Sequence, residues 1–262
     1  MSELSILKST IKQAGKKVME FYGQDLNIRD KGGDSPVTQA DLASEKVILQ
    51  KLKQLNYGIL SEETDKENKR LYQEKVWIID PLDGTKDFIQ QTGEFSIMIG
   101  LSQNGRPVLG AVYQPAEDKL FWASAGQGAY MEHRGQTVKL QVSDKKDYSE
   151  IILLRSRNHL LDREMNLAKK LSIDKMQTCG SAGLKSAKIA DQFGDLYLNT
   201  SDKTGEWDVC ASDIIVKEAG GVFTDMFGDN IVYNKRDPMN YNGFVVSNGK
   251  IHYNVIKELA KI

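Results

Sequence analysis

Cysteine is scarce in this sequence: Cys179 and Cys210 are the only two, which excludes a disulfide framework and fits a reducing cytoplasm. No apolar run approaches the roughly 20 residues that a membrane-spanning helix needs. Met1-Ser-Glu-Leu has no basic stretch followed by an apolar core, so the N-terminus does not read as a signal peptide. An excess of one charge is missing too, with 35 Lys plus Arg against 36 Asp plus Glu. Without a global field, neither a nucleic-acid polymer nor an anionic membrane is favoured as a partner. An anionic substrate would need local basic residues or metal ions. Repeats, low-complexity tracts and Pro/Gly-rich linkers are also absent. The remaining composition, 40% hydrophobic and 27% charged over 262 residues, suits one large globular unit or two closely joined halves.

Leu4, Leu7, Ile11, Ala14, Val18 and Phe21 step by three or four, which predicts an amphipathic helix. Residues Asp25 to Gln39, containing Asp30-Lys-Gly-Gly-Asp-Ser-Pro, predict a mobile hairpin or loop. A second helix is expected from Ala40 to Leu55, with Ile48, Leu52 and Leu55 on one face. Strands are expected near Gly58–Leu60, Val76–Ile79, Phe95–Leu101, Val108–Tyr113, Leu120–Ala123 and Thr137–Val142, a dense run that points to an antiparallel sheet. From Ile151 the pattern alternates. Strands at Ile151–Leu154, Asp195–Asn199 and Gly243–Ser247 are separated by helices near 160–171, 182–192 and 208–219. The expected fold class is α+β. An α+β subdomain over 1–146 would hold the antiparallel sheet, and a more α/β subdomain over 147–262 would follow the polar stretch Ser143-Asp-Lys-Lys-Asp-Tyr-Ser149.

Residues 76 to 85, Val-Trp-Ile-Ile-Asp-Pro-Leu-Asp-Gly-Thr, carry the most chemical information. Val76 to Ile79 predict a short buried strand, and Pro81, lacking an N–H, is expected to stop it at Asp80. Asp80, Asp83, Gly84 and Thr85 then crowd the strand's exit. Like charges this close repel unless a cation neutralises them. Hard oxygen donors with no histidine or cysteine nearby suit Mg²⁺ rather than Zn²⁺. An Asx-type turn would explain a lone Asp-Gly. Two aspartates bracketing a proline, with a threonine behind, favour the metal. Three other acidic spots could complete such a site: Glu62-Glu63 after the apolar pair Ile59-Leu60, Asp208 in Glu206-Trp-Asp, and Asp41. Each has a plainer alternative, namely a solvated loop, a helix cap, and a capping partner of Thr38. His133, His159 and His252 lie outside these motifs, and His133 and His252 read as surface residues.

Taken together, Glu62-Glu63, Trp77-Ile-Ile-Asp80-Pro-Leu-Asp83-Gly-Thr85, and Trp207-Asp208 followed by Glu218-Ala-Gly-Gly221 resemble the inositol monophosphatase superfamily of Mg²⁺-dependent, lithium-sensitive phosphatases. The resemblance runs from Val37-Thr-Gln-Ala-Asp41 to Gly243-Phe-Val-Val-Ser-Asn248. It implies a layered α-β-α-β-α sandwich as one unit, with most metal ligands in the first subdomain and Asp208 and substrate contacts in the second. It further implies metal ligation by Glu62, Asp80, Asp83, Asp208 and the carbonyl of Leu82, with two or three Mg²⁺ per site. Thr85 would orient and help deprotonate the attacking water, with Asp41 and Glu62 in supporting catalytic roles.

Asp83-Gly-Thr-Lys86-Asp-Phe88 and Gly93-Glu-Phe-Ser96 are similar to the CysQ-type 3′(2′),5′-bisphosphate nucleotidase branch, where the inositol branch usually has Thr-Asn-Phe. Arg155-Ser-Arg157-Asn-His159 and Gly180-Ser-Ala-Gly-Leu-Lys185 resemble that branch as well, departing from it at Asn158 and by one extra residue in Ser181-Ala-Gly183. That likeness implies removal of the 3′-phosphate of adenosine 3′,5′-bisphosphate, in support of sulfate assimilation. The substrate contacts it implies are Asp83, Gly84, Thr85, Lys86, Arg157, Ser181, Lys185 and Asp208. Arg157 and Lys185 could grip a second phosphate, or be ordinary surface cations. The implied partner is a small phosphorylated nucleotide, and a homodimer stays open. Alternatives within the fold are an inositol or fructose bisphosphate phosphatase. A haloacid-dehalogenase-type phosphatase would need one residue between the aspartates where this chain has Pro81 and Leu82, and an EF-hand-type Ca²⁺ module would need a glutamate where Gln91 stands.

Overall fold

The computed structural model describes residues 2–24, 29–30, 36–64, 68–158 and 162–262. The first half opens with helix α1 (Glu3–Met19), the paired segments β1 (Arg29–Asp30) and β2 (Pro36–Val37), and helix α2 (Gln39–Leu52). The expected hairpin is thus seen in its two arms, and residues 25–28 and 31–35 lie outside the described residues. Next come β3 (Gly58–Ser61), β4 (Lys75–Asp83), α3 (Thr85–Ile89), β5 (Ser96–Gln103), β6 (Arg106–Gln114), β7 (Lys119–Ser124), β8 (Gly128–His133) and β9 (Gln136–Lys139). The second half holds β10 (Ile152–Ser156), α4 (Asp162–Lys170), β11 (Lys175–Cys179), α5 (Ala182–Ala190) and β12 (Leu196–Asn199). It ends with α6 (Cys210–Glu218), β13 (Val222–Thr224), β14 (Phe244–Ser247) and α7 (His252–Leu259). Among the described residues, β3 to β9 form a seven-stranded sheet in sequence order, antiparallel after a parallel β3–β4 pair. A mixed five-stranded sheet runs β11-β10-β12-β14-β13.

Two-residue alternation along β4 explains the layering. Trp77 and Ile79 face a core shared with Leu7, Ile11, Ala14 and Val18 of α1 and Ile48 of α2. Val76 and Ile78 face a second core built with α5, α6 and the smaller sheet. A strand buried on both faces reads as a continuous apolar run, as this one does. A third core packs the far side of the smaller sheet against Leu167 of α4 and Val255 and Leu259 of α7. The result is the expected α-β-α-β-α order.

Helix α6 sits on the larger sheet through a cross-strand pair of glycines. Gly100 and Gly110 are in register across β5 and β6. A Cβ on Gly110 would lie 2.4 Å from the Ala211 carbonyl oxygen, and one on Gly100 would lie 2.6 Å from Cys210 Sγ. This close approach brings the N-terminus of α6, and with it Asp208, towards the end of β4. The motif residue Glu218 lies at the other end of α6, where its carboxylate accepts from Gly126 N at 2.8 Å and Gly128 N at 2.7 Å in the β7–β8 turn.

Three differences from the sequence expectations have physical causes. β4 does not stop at Asp80 but continues to Asp83, because a register shift between those residues accommodates Pro81, whose carbonyl accepts from Ser44 Oγ at 2.7 Å. β8, β11, β13 and α3 are short or carry too little periodic apolar character to be read, β8 burying only Ala129, whereas α7, whose Val255 and Leu259 are buried at helical spacing, was overlooked. His252 is not a surface residue. It is 7% exposed, with Nε2 2.9 Å from Thr224 Oγ1 and Nδ1 2.9 Å from Ser247 Oγ. His133 is half-buried, and His159 lies outside the described residues.

Burial lowers the His252 pKa from 6.5 to about 4. The unfolded chain therefore takes up this proton first, so the stabilisation is fully present above pH 6.5 and is lost as pH falls towards about 4. The loss is at most about 1.4 kcal/mol per pH unit. Thermal melts between pH 7 and about 4 should show a shallower acid decline for His252→Gln than for wild type; parallel curves would remove this account. Gly110→Ala should destabilise the fold by roughly 1–3 kcal/mol through overpacking against α6, read as a lower urea midpoint with unchanged slope.

Candidate metal centre and active site

The site is assembled where β3, β4 and the turn before α6 converge. Parallel pairing sets Ser61 opposite Ile79, so Glu62 emerges beside Asp80, with its N–H on the Ile79 carbonyl at 3.2 Å. Glu45 of α2 supports this exit by accepting from Ser61 Oγ at 2.5 Å and Thr64 Oγ1 at 2.8 Å. Asp80 and Asp83 come from the end of β4. Asp208 comes from the 3₁₀ turn Glu206–Asp208 that precedes α6. One ligand oxygen from each of Asp80, Asp83 and Asp208 falls within 4.8 Å of the others, and no histidine or cysteine joins the group among the described residues. Glu62 stands outside this tight group, but its charge reaches both Asp80 and Asp208.

Each of the three aspartates is tethered by a backbone N–H. Leu82 N donates to Asp80 Oδ1 at 3.0 Å, Gly183 N to Asp83 Oδ2 at 2.7 Å, and Gly205 N to Asp208 Oδ2 at 2.6 Å. Asp208 does not cap α6, as its plainer reading had it: α6 has no side-chain cap, and the Asp208 carboxylate reaches back to Gly205 N at the start of its own 3₁₀ turn while belonging to the cluster. Burial, then the neighbouring carboxylates, push the pKa of both Asp80 and Asp208 well above the usual carboxylate range. Such a group holds protons until a cation replaces them.

Gly84 turns the chain out of β4 with φ +87°, a conformation that favours glycine, and caps the one-turn helix α3 that begins at Thr85. Thr85 Oγ1 lies 3.3 Å from Asp41 Oδ1 and 3.2 Å from the Leu82 carbonyl. Asp41 also completes the capping box of α2, accepting from Thr38 N at 2.8 Å and Thr38 Oγ1 at 2.6 Å. Burial raises its pKa to about 6 against these hydrogen bonds. The capping reading of Asp41 is thus seen directly, and the same carboxylate also lies beside Thr85, outside the group formed by Asp80, Asp83 and Asp208.

The expected substrate contacts divide. Lys86 is half-buried on α3. Arg157 keeps its side chain 38% exposed and pairs with Asp87 at 3.2 Å and Glu94 at 2.5 Å. Ser181 is buried and its hydroxyl donates to Asp83. Lys185 departs from the expectation of a second-phosphate contact. It is 3% exposed, and its ammonium donates to the carbonyls of Ser181 at 2.8 Å and Cys179 at 3.3 Å. The cause is the position of α5, which packs between the two sheets and leaves no solvent face from Gly183 to Ala190. Asp87 and Glu94 were not singled out from the sequence, and Asn158 was named only as a departure from the nucleotidase-like pattern. Asn158 Nδ2 donates to Asp87 at 2.9 Å and Gly180 N to Glu94 at 3.0 Å, so these acids form the wall in which Arg157 is held. The one available signal was their place inside the three nucleotidase-like segments that begin at Asp83, Gly93 and Arg155.

A profile of the inositol monophosphatase family matches residues 2–262. The chain is 35% identical over 242 residues to the 3′(2′),5′-bisphosphate nucleotidase CysQ of Aggregatibacter actinomycetemcomitans, covering 89% of this chain and 88% of that protein. It is 27% identical over 257 residues to an inositol-1-monophosphatase of Bacillus subtilis, covering 97% and 94%. The solved structure of a Thermotoga maritima IMPase superposes with a TM-score of 0.85 at 27% identity, covering 100% of this chain and 98% of the other. With the profile matched from residue 2 to residue 262 and a solved relative superposing along the whole chain, this protein belongs to the inositol monophosphatase family.

Proposed function

We propose that this phosphatase removes the 3′-phosphate of adenosine 3′,5′-bisphosphate, giving AMP and phosphate, with Mg²⁺ held by Glu62, Asp80, Asp83, Asp208 and the Leu82 carbonyl. The observation that carries the reading is the packing of three carboxylates within 4.8 Å beside the Thr85–Asp41 pair. The donor set fits a hard divalent cation, being all-oxygen, anionic and largely buried. Bound there, Mg²⁺ supplies neutralisation of phosphoryl charge and activation of water for in-line attack.

The chain's own residues orient that attack. Thr85 Oγ1 has one proton and, by donating it to Asp41, turns its lone pairs towards a water. Asp41, with a pKa of about 6, is mostly carboxylate at neutral pH and can receive the proton that Thr85 relays. Gly84, Thr85 and Lys86 at the start of α3 are the phosphate contacts of this reading. Arg157 is the candidate for the remote 5′-phosphate, which would replace Asp87 or Glu94 as its anionic partner. The greater identity to the nucleotidase than to the inositol phosphatase supports the substrate choice and a role in sulfate assimilation. An inositol phosphate is the second reading, favoured by the inward position of Lys185, which leaves Arg157 as the remaining sequence candidate for a second phosphate. Lithium sensitivity belongs to this proposal as well, through competition at Asp83 and Asp208.

Asp80→Asn should cut Mg²⁺-dependent turnover by ~10³-fold or more while circular dichroism stays unchanged. Mg²⁺ binding to the wild type should tighten as pH rises, since protons leave the cluster. Wild-type turnover in Asp80→Asn would remove the site. Steady-state assays should give adenosine 3′,5′-bisphosphate a higher kcat/KM than inositol 1-phosphate or fructose 1,6-bisphosphate. Arg157→Ala should narrow that preference. A wild-type preference for inositol 1-phosphate would leave the metal chemistry standing and end the nucleotidase reading.

A further inference from the structure

The turn that carries Asp208 is held by a strap of chain over residues 233–240. Glu206, 0% exposed, accepts from the backbone N–H of Asn234 at 2.6 Å and of Lys235 at 2.9 Å. Its own N–H donates to the Pro238 carbonyl at 2.9 Å. Asn240 brackets the same turn, with its N–H on the Thr204 carbonyl at 2.7 Å and its side-chain amide on the Gly205 carbonyl at 2.8 Å. Gly205 N then donates to Asp208 Oδ2.

Arg70 fixes the strap from the first half of the chain. It is 4% exposed in the 3₁₀ turn Asn68–Tyr72, between the strand that leads to Glu62 and the strand that ends at Asp80 and Asp83. Its Nη1 donates to Asn234 Oδ1 at 2.8 Å and the Lys235 carbonyl at 2.9 Å, and Asn234 Nδ2 donates back to the Arg70 carbonyl at 3.1 Å. The two residues gripped by Arg70 are the same two whose N–H groups hold Glu206. The charges of Lys235 and Arg70 also offset part of the cost of burying the Glu206 carboxylate. A lysine could supply the charge but not the planar, multi-donor head that meets two acceptors in fixed geometry.

We propose that Arg70 is a positioning residue for the metal centre: through Asn234 and Lys235 it fixes the Glu206–Asp208 turn against the strands that carry Glu62 and Asp80. This rests on the metal reading above. No candidate ligand or catalytic group lies along the route from Arg70 to that turn. Loss of supporting contacts of this kind weakens metal binding by about 10–100-fold.

The test is titration of Mg²⁺ alone into the metal-stripped full chain, by calorimetry, for wild type, Arg70→Met and Asn234→Ala. Arg70→Met keeps buried volume and loses the donors. Asn234→Ala removes the side-chain clamp but keeps the N–H that holds Glu206. Both variants should bind Mg²⁺ about tenfold or more weakly, need correspondingly more Mg²⁺ for half-maximal activity, and keep most of their kcat at saturating Mg²⁺. Arg70→Lys should recover part of the affinity, and the double variant should be no weaker than the weaker single one. A purely structural Arg70 would lower Tm and leave the Mg²⁺ affinity of the folded protein unchanged. That outcome overturns the proposal, and Asn234→Ala decides it if Arg70→Met fails to fold. A wild type that bound no Mg²⁺ would instead remove the metal reading and this proposal with it.

Discussion

Mutual repulsion among Asp80, Asp83 and Asp208, with Glu62 alongside, is the constraint to which the surrounding structure answers. Buried carboxylates at this spacing repel one another, which helps raise the pKa of Asp80 and Asp208, and would drift apart if left to their own torsions. Each aspartate is instead held by a backbone N–H, from Leu82, Gly183 and Gly205. These donors come from three different segments. A charge-assisted bond to a fixed main-chain group lets the fold set the direction of the carboxylate. The result is a preorganised acidic group that could hold a cation.

Bringing those segments together depends on a close contact just behind the charges. Gly100 and Gly110 let α6 lie against the sheet at a distance that no side chain there would permit. Asp208 precedes α6 and Asp80 lies two residues beyond Ile78, the β4 partner of Gly100, so the seat of the helix sets the approach of the two acids. Tyr233 reinforces the seat by donating to Asp213 of α6 at 2.8 Å, and its neighbour Asn234 begins the hold on Glu206. Packing and site geometry are in this way one structure, since the segment that steadies the helix also steadies the ligand turn.

Much of this was legible in the sequence. Apolar periodicity marked α1, α2 and the strands buried on both faces, and the crowding of Asp80, Asp83 and Thr85 at a strand exit marked the acidic cluster. Asp41 was legible as a cap, which it is, and its carboxylate also meets Thr85. Weakly patterned elements escaped: β9 is exposed along its whole length and was only partly delimited, and β8 was missed. Lys185 and His252 were misplaced for one reason. Polar side chains are assigned outward by default, whereas the Ser181 and Cys179 carbonyls and the Thr224 and Ser247 hydroxyls satisfy these two inside the fold.

The sequence by itself determined the residue types and their local frame: which strands carry carboxylates, which turn contains Asp208, and a donor set suited to a hard cation. Those follow from short-range sterics and from charge density along the chain. Only the tertiary structure decided that Asp208 meets Asp80 and Asp83, that Gly183 and Ser181 hold Asp83, and that Lys185 faces inward while Arg157 stays at the surface. The contacts of the carboxylates join residues roughly 70 to 130 positions apart, and Lys185 turns to carbonyls four and six positions away only because α5 is packed between the sheets. No local pattern encodes such distances, because the partner that satisfies a buried group is chosen by the packing of elements and not by its neighbours in the chain.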